Sequence, residues 1–523
     1  MNRAEMLGRA IARHDPWDMV IIGGGAVGMG VAVDAASRGY DVLLVEQHDF
    51  GKGTSSRSTK LVHGGVRYLE QGAVSLVMEA LKERGLLRQN APHLVRDLAF
   101  VVPNYEWWEA PFYGVGLKVY DMLAGRYGFG RSEILSKEET LERLPTIKTE
   151  GLRGGVVYYD GQFDDARLLI NLAATAVEQG ALILNYAPAT ALTRNADGFV
   201  DGVVAHDLES GRDFRAAARV VINATGPQSD QVRRLAHPDA TPLIAPSQGI
   251  HLVFDGSFLP GGTAIMVPHT TDGRVMFAIP WHGHTVVGTT DTAISEVPLE
   301  PRPHEEEIAF ILETAGRYLR RPITRADVLS VFVGIRPLVR SGSAANTASL
   351  SRDHTIHIDP SGLLTVAGGK WTTYRHMAED TVDHAATLAQ LHEKPCVTRN
   401  LNVHGFHRQA QNFGALSVYG SDALQIQDLI RAEPSLAAPL HPALPYCGAE
   451  VIWAARAEMA RTVEDALARR TRALFLNARA AIAMAPATAA LLARELNRDE
   501  AWQAQQVDAF RAVAQGYLVS ARG

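Results

Sequence analysis

Two short, uninterrupted apolar runs, residues 19–22 and 42–45, bracket an Ala-rich stretch of helical character near the start of the chain. Runs of that length without polar alternation read as strands buried on both faces, and strand–helix–strand in close succession reads as a parallel βαβ unit. Before them lies a polar tail that Asp15-Pro16 punctuates. Residues 72–94 carry Leu76, Met78, Leu81, Leu86 and Leu87 as the apolar positions of a helix, with Pro92 near its end. A further helix is expected over 166–180, then strands at 182–184, 200–206 and 220–223, with hairpin turns at Asp197-Gly198 and Ser210-Gly211. Between about 240 and 335 apolar and polar positions alternate with frequent turns, the pattern of an antiparallel sheet. A strand at 363–367 and a helix at 374–391 follow. Beyond Lys394 the chain turns to Ala-, Leu- and Arg-rich helices, interrupted at Pro486 and with Asn497 as an N-cap. The pattern predicts an α/β nucleotide domain (17–95, 150–235 and 330–393) interleaved with a sheet domain (96–149 and 236–329). A tail, 1–16, precedes them and an all-helical C-terminal domain, 394–523, follows.

The turn between the first strand and helix is Gly23-x-Gly25-x-x-Gly28, and the second strand ends on Glu46, 21 positions after Gly25. Gly23 permits a tight turn, Gly25 lets backbone approach a pyrophosphate, and Gly28 lets helix pack on strand. The helix N-terminus faces the phosphates and the acid can accept from a ribose 2′-hydroxyl, which disfavours NADP. The motif alone does not separate NAD from FAD. Further glycine turns follow apolar strands at His63-Gly64-Gly65, Ala224-Thr225-Gly226, Gly288-Thr289-Thr290-Asp291 and Gly368-Gly369-Lys370, and no second Gly-x-Gly-x-x-Gly is present. One long cofactor touched by scattered segments suits FAD better than NAD.

Composition narrows the function classes. The 523 residues suffice for two or three domains, and 46% hydrophobic with 21% charged residues is ordinary for a globular protein. A net charge of −6 gives no basic field for nucleic acid. Cys396 and Cys447 lie far apart and outside any Cys-x-x-Cys, as unpaired thiols in a reducing compartment would. The N-terminus lacks the apolar core of a secretory signal, and the uncharged run before Arg494 is too short to span a membrane. No zinc-type Cys/His spacing and no nucleophile elbow stands out, so no metal is expected.

The motifs Thr54-Ser55-Ser56-x-Ser58-x-Lys60-Leu61-Val62-His63-Gly64-Gly65-Val66-Arg67-Tyr68-Leu69-Glu70, Phe163-Asp164-Asp165-Ala166-Arg167-Leu168, Asn223-Ala224-Thr225-Gly226-Pro227, Gly334-Ile335-Arg336-Pro337-Leu338 and Gly368-Gly369-Lys370-x-Thr372-Thr373-Tyr374-Arg375 occur in this order. Together with Gly288-Thr289-Thr290-Asp291 they closely resemble the FAD-dependent glycerol-3-phosphate dehydrogenases from about residue 17 to 385, and the helical tail resembles that family more loosely. Gln228 stands where a Trp commonly follows, and Trp371 where a Leu is usual. The resemblance implies a Rossmann-type, glutathione-reductase-like FAD domain interleaved with an antiparallel-sheet substrate domain. It also implies oxidation of sn-glycerol 3-phosphate to dihydroxyacetone phosphate by hydride transfer to FAD, with electrons passed to quinone. The implied location is cytoplasmic, peripheral on the inner face of the cell membrane.

That chemistry needs an anion clamp, a proton acceptor for the C2 hydroxyl and the flavin. Arg67, Arg336 and Arg352 are the clamp candidates, because a guanidinium fork holds phosphate through paired hydrogen bonds. Lys370 either binds phosphate or sets positive charge beside the flavin, and Tyr68 either bonds substrate or packs. His251, inside an apolar strand, is the first choice for the base, with a satisfied core histidine as the competing reading. His63 reads as a flavin contact, and His282 and His284 as residues of a hairpin tip. The resemblance extends the cofactor contacts to Thr54, Ser55, Ser56, Lys60, Leu61, Gly64, Gly65, Gly369, Thr372 and Thr373. Trp107, Trp108, Phe112, Tyr113, Tyr120 and Tyr127, interleaved with Lys118, Arg126 and Arg131, have the composition of a membrane-interface segment or of an internal aromatic cluster. Arg-rich faces of the C-terminal helices suit solvation, membrane contact or a homodimer alike. The rival functions are a glycerol-3-phosphate oxidase that releases peroxide, an amine or amino-acid oxidase, and a flavin-binding redox sensor without turnover.

Overall fold

In the computed structural model, residues 1–70, 72–106, 109–268, 270, 274–340 and 353–520 are described, Arg67 and Glu70 by their backbone only. Among them two large sheets carry the fold. The first has the strand order 182–184, 42–45, 17–22, 212–223, 364–368, 354–358. Every neighbouring pair is parallel except the last, and the hairpin strands Ala189–Arg194 and Val200–Asp207 extend the outer end of Arg212–Asn223. Met19, Val20, Ile21, Val42, Leu43 and Leu44 are fully buried because both faces of the sheet are packed against other elements, which is why these strands read as unbroken apolar runs. Helix Ala26–Ser37 lies on this sheet with Asp165–Glu178 and Tyr374–Leu388 beside it.

The second sheet has ten strands. Its spine is Ile244–Asp255, paired with Ser330–Val339 on one side and His284–Gly288 on the other, and it continues through 276–281, 263–267, 95–104 and 154–163 to 61–62. Strands 61–62, 154–163 and 330–339 thus pair in this sheet although they fall in the segments expected for the nucleotide domain. Helix Glu305–Tyr318 packs within the region expected as pure sheet, its Ile308 and Ile311 filling the core under Ile250, Leu252 and Phe254.

The other face of the second sheet shares one core with the C-terminal helices. Val253 and Phe332 pack in one cluster with Leu474, Phe475, Leu476 and Met484. Three local expectations change. The tail forms a helix, Arg3–Ala12, tied down by Arg3 on Asn185 and Asp207. Pro486 does not interrupt: helix Ala478–Leu496 runs through it. Asn497 is the left-handed C-cap of that helix, and Asp499 N-caps the next. A small hairpin, Pro439–His441 with Leu444–Cys447, also interrupts the helical region.

Candidate cofactor and substrate site

Four parallel strands of the first sheet end on the same edge, and their C-terminal turns supply Gly23, Glu46, Ala224-Thr225-Gly226 and Gly368-Gly369. The carboxyl ends of such strands are where open α/β sheets hold ligands. A cavity of about 530 Å³ begins there and runs to the second sheet, where Gly249, His251, Thr289 and Arg336 line it. Gly23 has φ +112°, and a Cβ on it would lie 2.7 Å from the Ala224 carbonyl oxygen. A Cβ on Gly28 would lie 1.9 Å from the Gly23 oxygen, so Gly28 serves the close approach of helix to strand rather than the cavity wall.

Gly25 is the N-cap of helix Ala26–Ser37 and offers no side-chain cap. The helix start is therefore open toward the cavity as an anion site, with only the Ala26 amide engaged, by Ser55 Oγ at 2.9 Å. Glu46 is held at the wall by the Gly24 amide (2.7 Å) and the His48 amide (2.9 Å), and burial pushes its carboxyl up from the ordinary value. Gln47 donates to Gln228 at 2.9 Å, so the side chain that replaces the usual Trp pairs at the nucleotide end. An elongated cleft with an uncapped helix start, an acid beyond it and glycine turns along one side fits a dinucleotide such as FAD.

At the other end Thr372 Oγ1 accepts from the His63 amide (3.2 Å), and Trp371 Nε1 donates to the Ser55 carbonyl (2.8 Å), tying the lysine turn to the first one. The Lys370 ammonium lies 3.9 Å from the centre of the Tyr68 ring. Arg336 reaches the wall from strand Ser330–Val339, donating to the Thr290 carbonyl (2.9 Å) and Thr289 Oγ1 (3.2 Å) and facing Asp291 at 3.3 Å. His251 is buried, with Nε2 2.9 Å from Thr59 Oγ1 and its ring stacked on Phe332 at 4.8 Å. Burial, then the charges of Lys60 and Arg336, hold its pKa well below the ordinary histidine value, so the imidazole is neutral.

Of the residues expected at the site, Gly23, Gly25, Glu46, Thr54, Ser55 and Leu61 line the cavity. His63, Tyr68, Ala224, Thr225, Gly226, His251, Arg336, Gly369, Lys370 and Thr372 line it too. Ser56 and Lys60 lie behind the wall: Lys60 is completely buried on Asp165 at 2.6 Å, and burial lowers its pKa to about 7. The Gly64 amide donates to Tyr120 Oη (2.8 Å), Gly65 packs on Tyr68, and Thr373 is buried at the start of helix Tyr374–Leu388. The backbone of Arg67 begins the short helix Arg67–Glu70, and its side chain lies outside the described residues, as does all of Arg352. In the aromatic segment, Tyr113 and Tyr120 of helix Glu109–Ala124 are buried, and Trp107 and Trp108 lie outside the described residues.

Two features were not expected. Thr59 touches His251, and its only signal was adjacency to the charged motif positions. Segment 297–301 lines the cavity, pinned where both carboxylate oxygens of Glu300 accept from Arg57 Nη2 at 2.9 Å. Its Val-Pro-Leu-Glu-Pro composition reads as an ordinary turn.

Comparison with known proteins agrees with this architecture. Residues 18–375 match the family described as FAD dependent oxidoreductase, and residues 366–503 match the C-terminal domain of alpha-glycerophosphate oxidase. The chain is 42% identical to the mitochondrial glycerol-3-phosphate dehydrogenase of Arabidopsis thaliana, over 95% of this chain and 86% of that one. It is 41% identical to the mitochondrial glycerol-3-phosphate dehydrogenase of Homo sapiens, over 95% of this chain and 72% of that one. The crystal structure of the glycerol-3-phosphate dehydrogenase from Bacillus halodurans, complexed with FAD, superposes with a TM-score of 0.80 at 30% identity, covering 99% of this chain and 98% of that one. With this fold, this cleft and these relatives over nearly its whole length, the chain belongs to the FAD-dependent glycerol-3-phosphate dehydrogenase family.

Proposed function

We propose that this flavoenzyme oxidises sn-glycerol 3-phosphate to dihydroxyacetone phosphate and passes the electrons to a membrane quinone. The observation that carries the substrate assignment is the convergence of Arg336, Lys370 and Tyr68 with a neutral, buried His251 at one end of the cofactor cleft. FAD, when bound, supplies the acceptor for the hydride from C2. Arg336 and Lys370, with Arg67 as the family motif suggests, hold the phosphate dianion, the guanidinium through its fork and the ammonium as a point charge. Their charge draws the substrate into a cleft where fixed, half-buried donors act more strongly than they would in water. Tyr68 orients a substrate oxygen. His251 begins neutral, as a proton acceptor must, and takes the C2 hydroxyl proton. A dianionic phosphate nearby raises the imidazole's proton affinity on substrate binding, offsetting the cations that depress it in the free enzyme.

Anaerobic titration of the yellow holoenzyme with glycerol 3-phosphate tests the assignment. Bleaching of flavin absorbance is expected, and an unchanged spectrum would overturn it.

The quinone acceptor and a peripheral position on the inner face of the cell membrane are supported by helix Glu109–Ala124. Its Phe112, Val115, Val119 and Met122, spaced three, four and three apart, are 54%, 66%, 44% and 80% exposed. No helix among the described residues is long and apolar enough to cross a membrane. A second reading, an oxidase releasing peroxide, is favoured by the C-terminal match to the alpha-glycerophosphate oxidase domain. Peroxide yield in air against reduction of a soluble quinone analogue separates the two.

A further inference from the structure

Behind the wall that carries His251 lies a charge cluster the proposed reaction does not use. Lys60 donates to the Ser56 carbonyl (2.8 Å) and to Asp165 Oδ2 (2.6 Å), and that oxygen also accepts from the Ser58 amide (3.0 Å) and hydroxyl (2.7 Å). Asp165 Oδ1 accepts from Arg472 at 3.0 Å. Arg472 belongs to the C-terminal helical region, is 1% exposed, and donates also to the Ser56 carbonyl at 2.9 Å and the Ala468 carbonyl at 2.8 Å. Its backbone is left-handed, φ 67°, a conformation that persists in a non-glycine residue only where surrounding contacts over-determine it.

Residues 56, 58 and 60 are therefore all anchored on one carboxylate and one guanidinium. Thr59 lies among them and turns the other way, its hydroxyl 2.9 Å from His251 Nε2. The imidazole is confined elsewhere by Phe332 and by Gly288, where a Cβ would come within 2.4 Å of the ring. Phe332 in turn rests on Phe475 of the C-terminal region, ring centres 5.1 Å apart.

We propose that Arg472 is a positioning residue for His251: anchored on Ser56 and Asp165, it fixes loop 56–60 so that the Thr59 hydroxyl holds the imidazole in its working orientation. The helical C-terminal region is then a part of the active site. This inference rests on the reading of His251 as the proton acceptor.

A double-mutant cycle on FAD-loaded enzyme tests it, with Arg472→Lys, Thr59→Val and the double variant assayed for glycerol 3-phosphate oxidation by a soluble quinone analogue. Each single variant lowers kcat about tenfold with KM changed less than about twofold, the signature of an orienting group. Because both break one link, the double variant loses no more than about tenfold, whereas independent effects would multiply to about a hundredfold. Thr59→Ser, which keeps the hydroxyl, restores kcat. Wild-type kcat in Arg472→Lys, or multiplicative losses, would overturn the proposal. Should Arg472→Lys yield no folded holoenzyme, Lys60→Gln enters the cycle in its place with the same expectations. Failure of the underlying reading is separately visible: His251→Asn would then turn over at the wild-type rate.

Discussion

At the residue scale the site depends on the shape of its charges as much as on their sign. Arg336 already directs its fork to Thr289, Thr290 and Asp291 at the cavity wall, which fixes the guanidinium plane before substrate arrives. A lysine keeps the charge and loses both the plane and the second donor. Arg336→Lys is expected to raise KM for glycerol 3-phosphate by about tenfold or more, while flavin absorbance shows the cofactor retained. Backbone consequences of the motifs were legible in the sequence. Gly23, Glu46, Ala224 and Gly369 sit where strand ends must put them. Side-chain direction was not. Lys60 directly precedes strand 61–62 and stands three positions before His63 in the same motif, yet its left-handed backbone (φ 65°) sends it inward to Asp165, a partner more than a hundred positions away. A motif position says which residue is present and leaves open which side of the wall it serves.

At the element scale, single polar contacts join the C-terminal region to the nucleotide-binding unit. His404 bridges Glu178 of helix Asp165–Glu178 (2.6 Å) and Asp422 (2.8 Å), and these hydrogen bonds and charges outweigh its burial and raise its pKa to about 9. Its folded value lies above its unfolded one, near 6.5, so protonation favours the folded state. The stabilisation is complete below about pH 6.5, declines as pH rises, and is gone above about 9. His404→Gln should therefore lower the unfolding midpoint at pH 6 and match the wild type at pH 10, as read by thermal denaturation across that range. Such long-range bridges leave no mark on local periodicity. The same limit explains the misread elements: strand Ser330–Val339 pairs with Ile244–Asp255 because of register partners such as Ile250 and Val333, not because of a local pattern. Helix Ala478–Leu496 tolerates Pro486 because that residue faces solvent while Met484, Ala485 and Thr488 hold the helix in the core.

At the scale of the whole molecule, the exposed stripe and the contact to the cofactor turn lie on opposite faces of one helix. Helix Glu109–Ala124 turns Val115, Val119 and Met122 outward, while on its inner side Tyr120 Oη accepts from the Gly64 amide and donates to Asp160, both at 2.8 Å. Gly64 belongs to the turn that carries His63 into the cleft. A lipid surface covering the stripe would therefore lie one helix away from the cofactor turn, a short route for a quinone that never leaves the bilayer. Oxygen needs no such surface, so the arrangement supports the quinone reading over the oxidase reading. The net charge of −6 opposes binding to anionic lipid by long-range attraction, which leaves apolar insertion as the main driving force. Two consequences separate this from a purely electrostatic attachment. Binding to vesicles should survive an increase in salt that screens exposed charges, since the Debye length shrinks to about 3 Å at 1 M. Val115→Glu with Met122→Glu should weaken co-sedimentation with vesicles by about tenfold or more, because two carboxylates would enter the interface in place of apolar side chains. Turnover with a soluble acceptor reports whether the variant is folded. If that turnover is normal and vesicle binding is unchanged, the stripe is not the membrane face, and the support it lends the quinone reading falls.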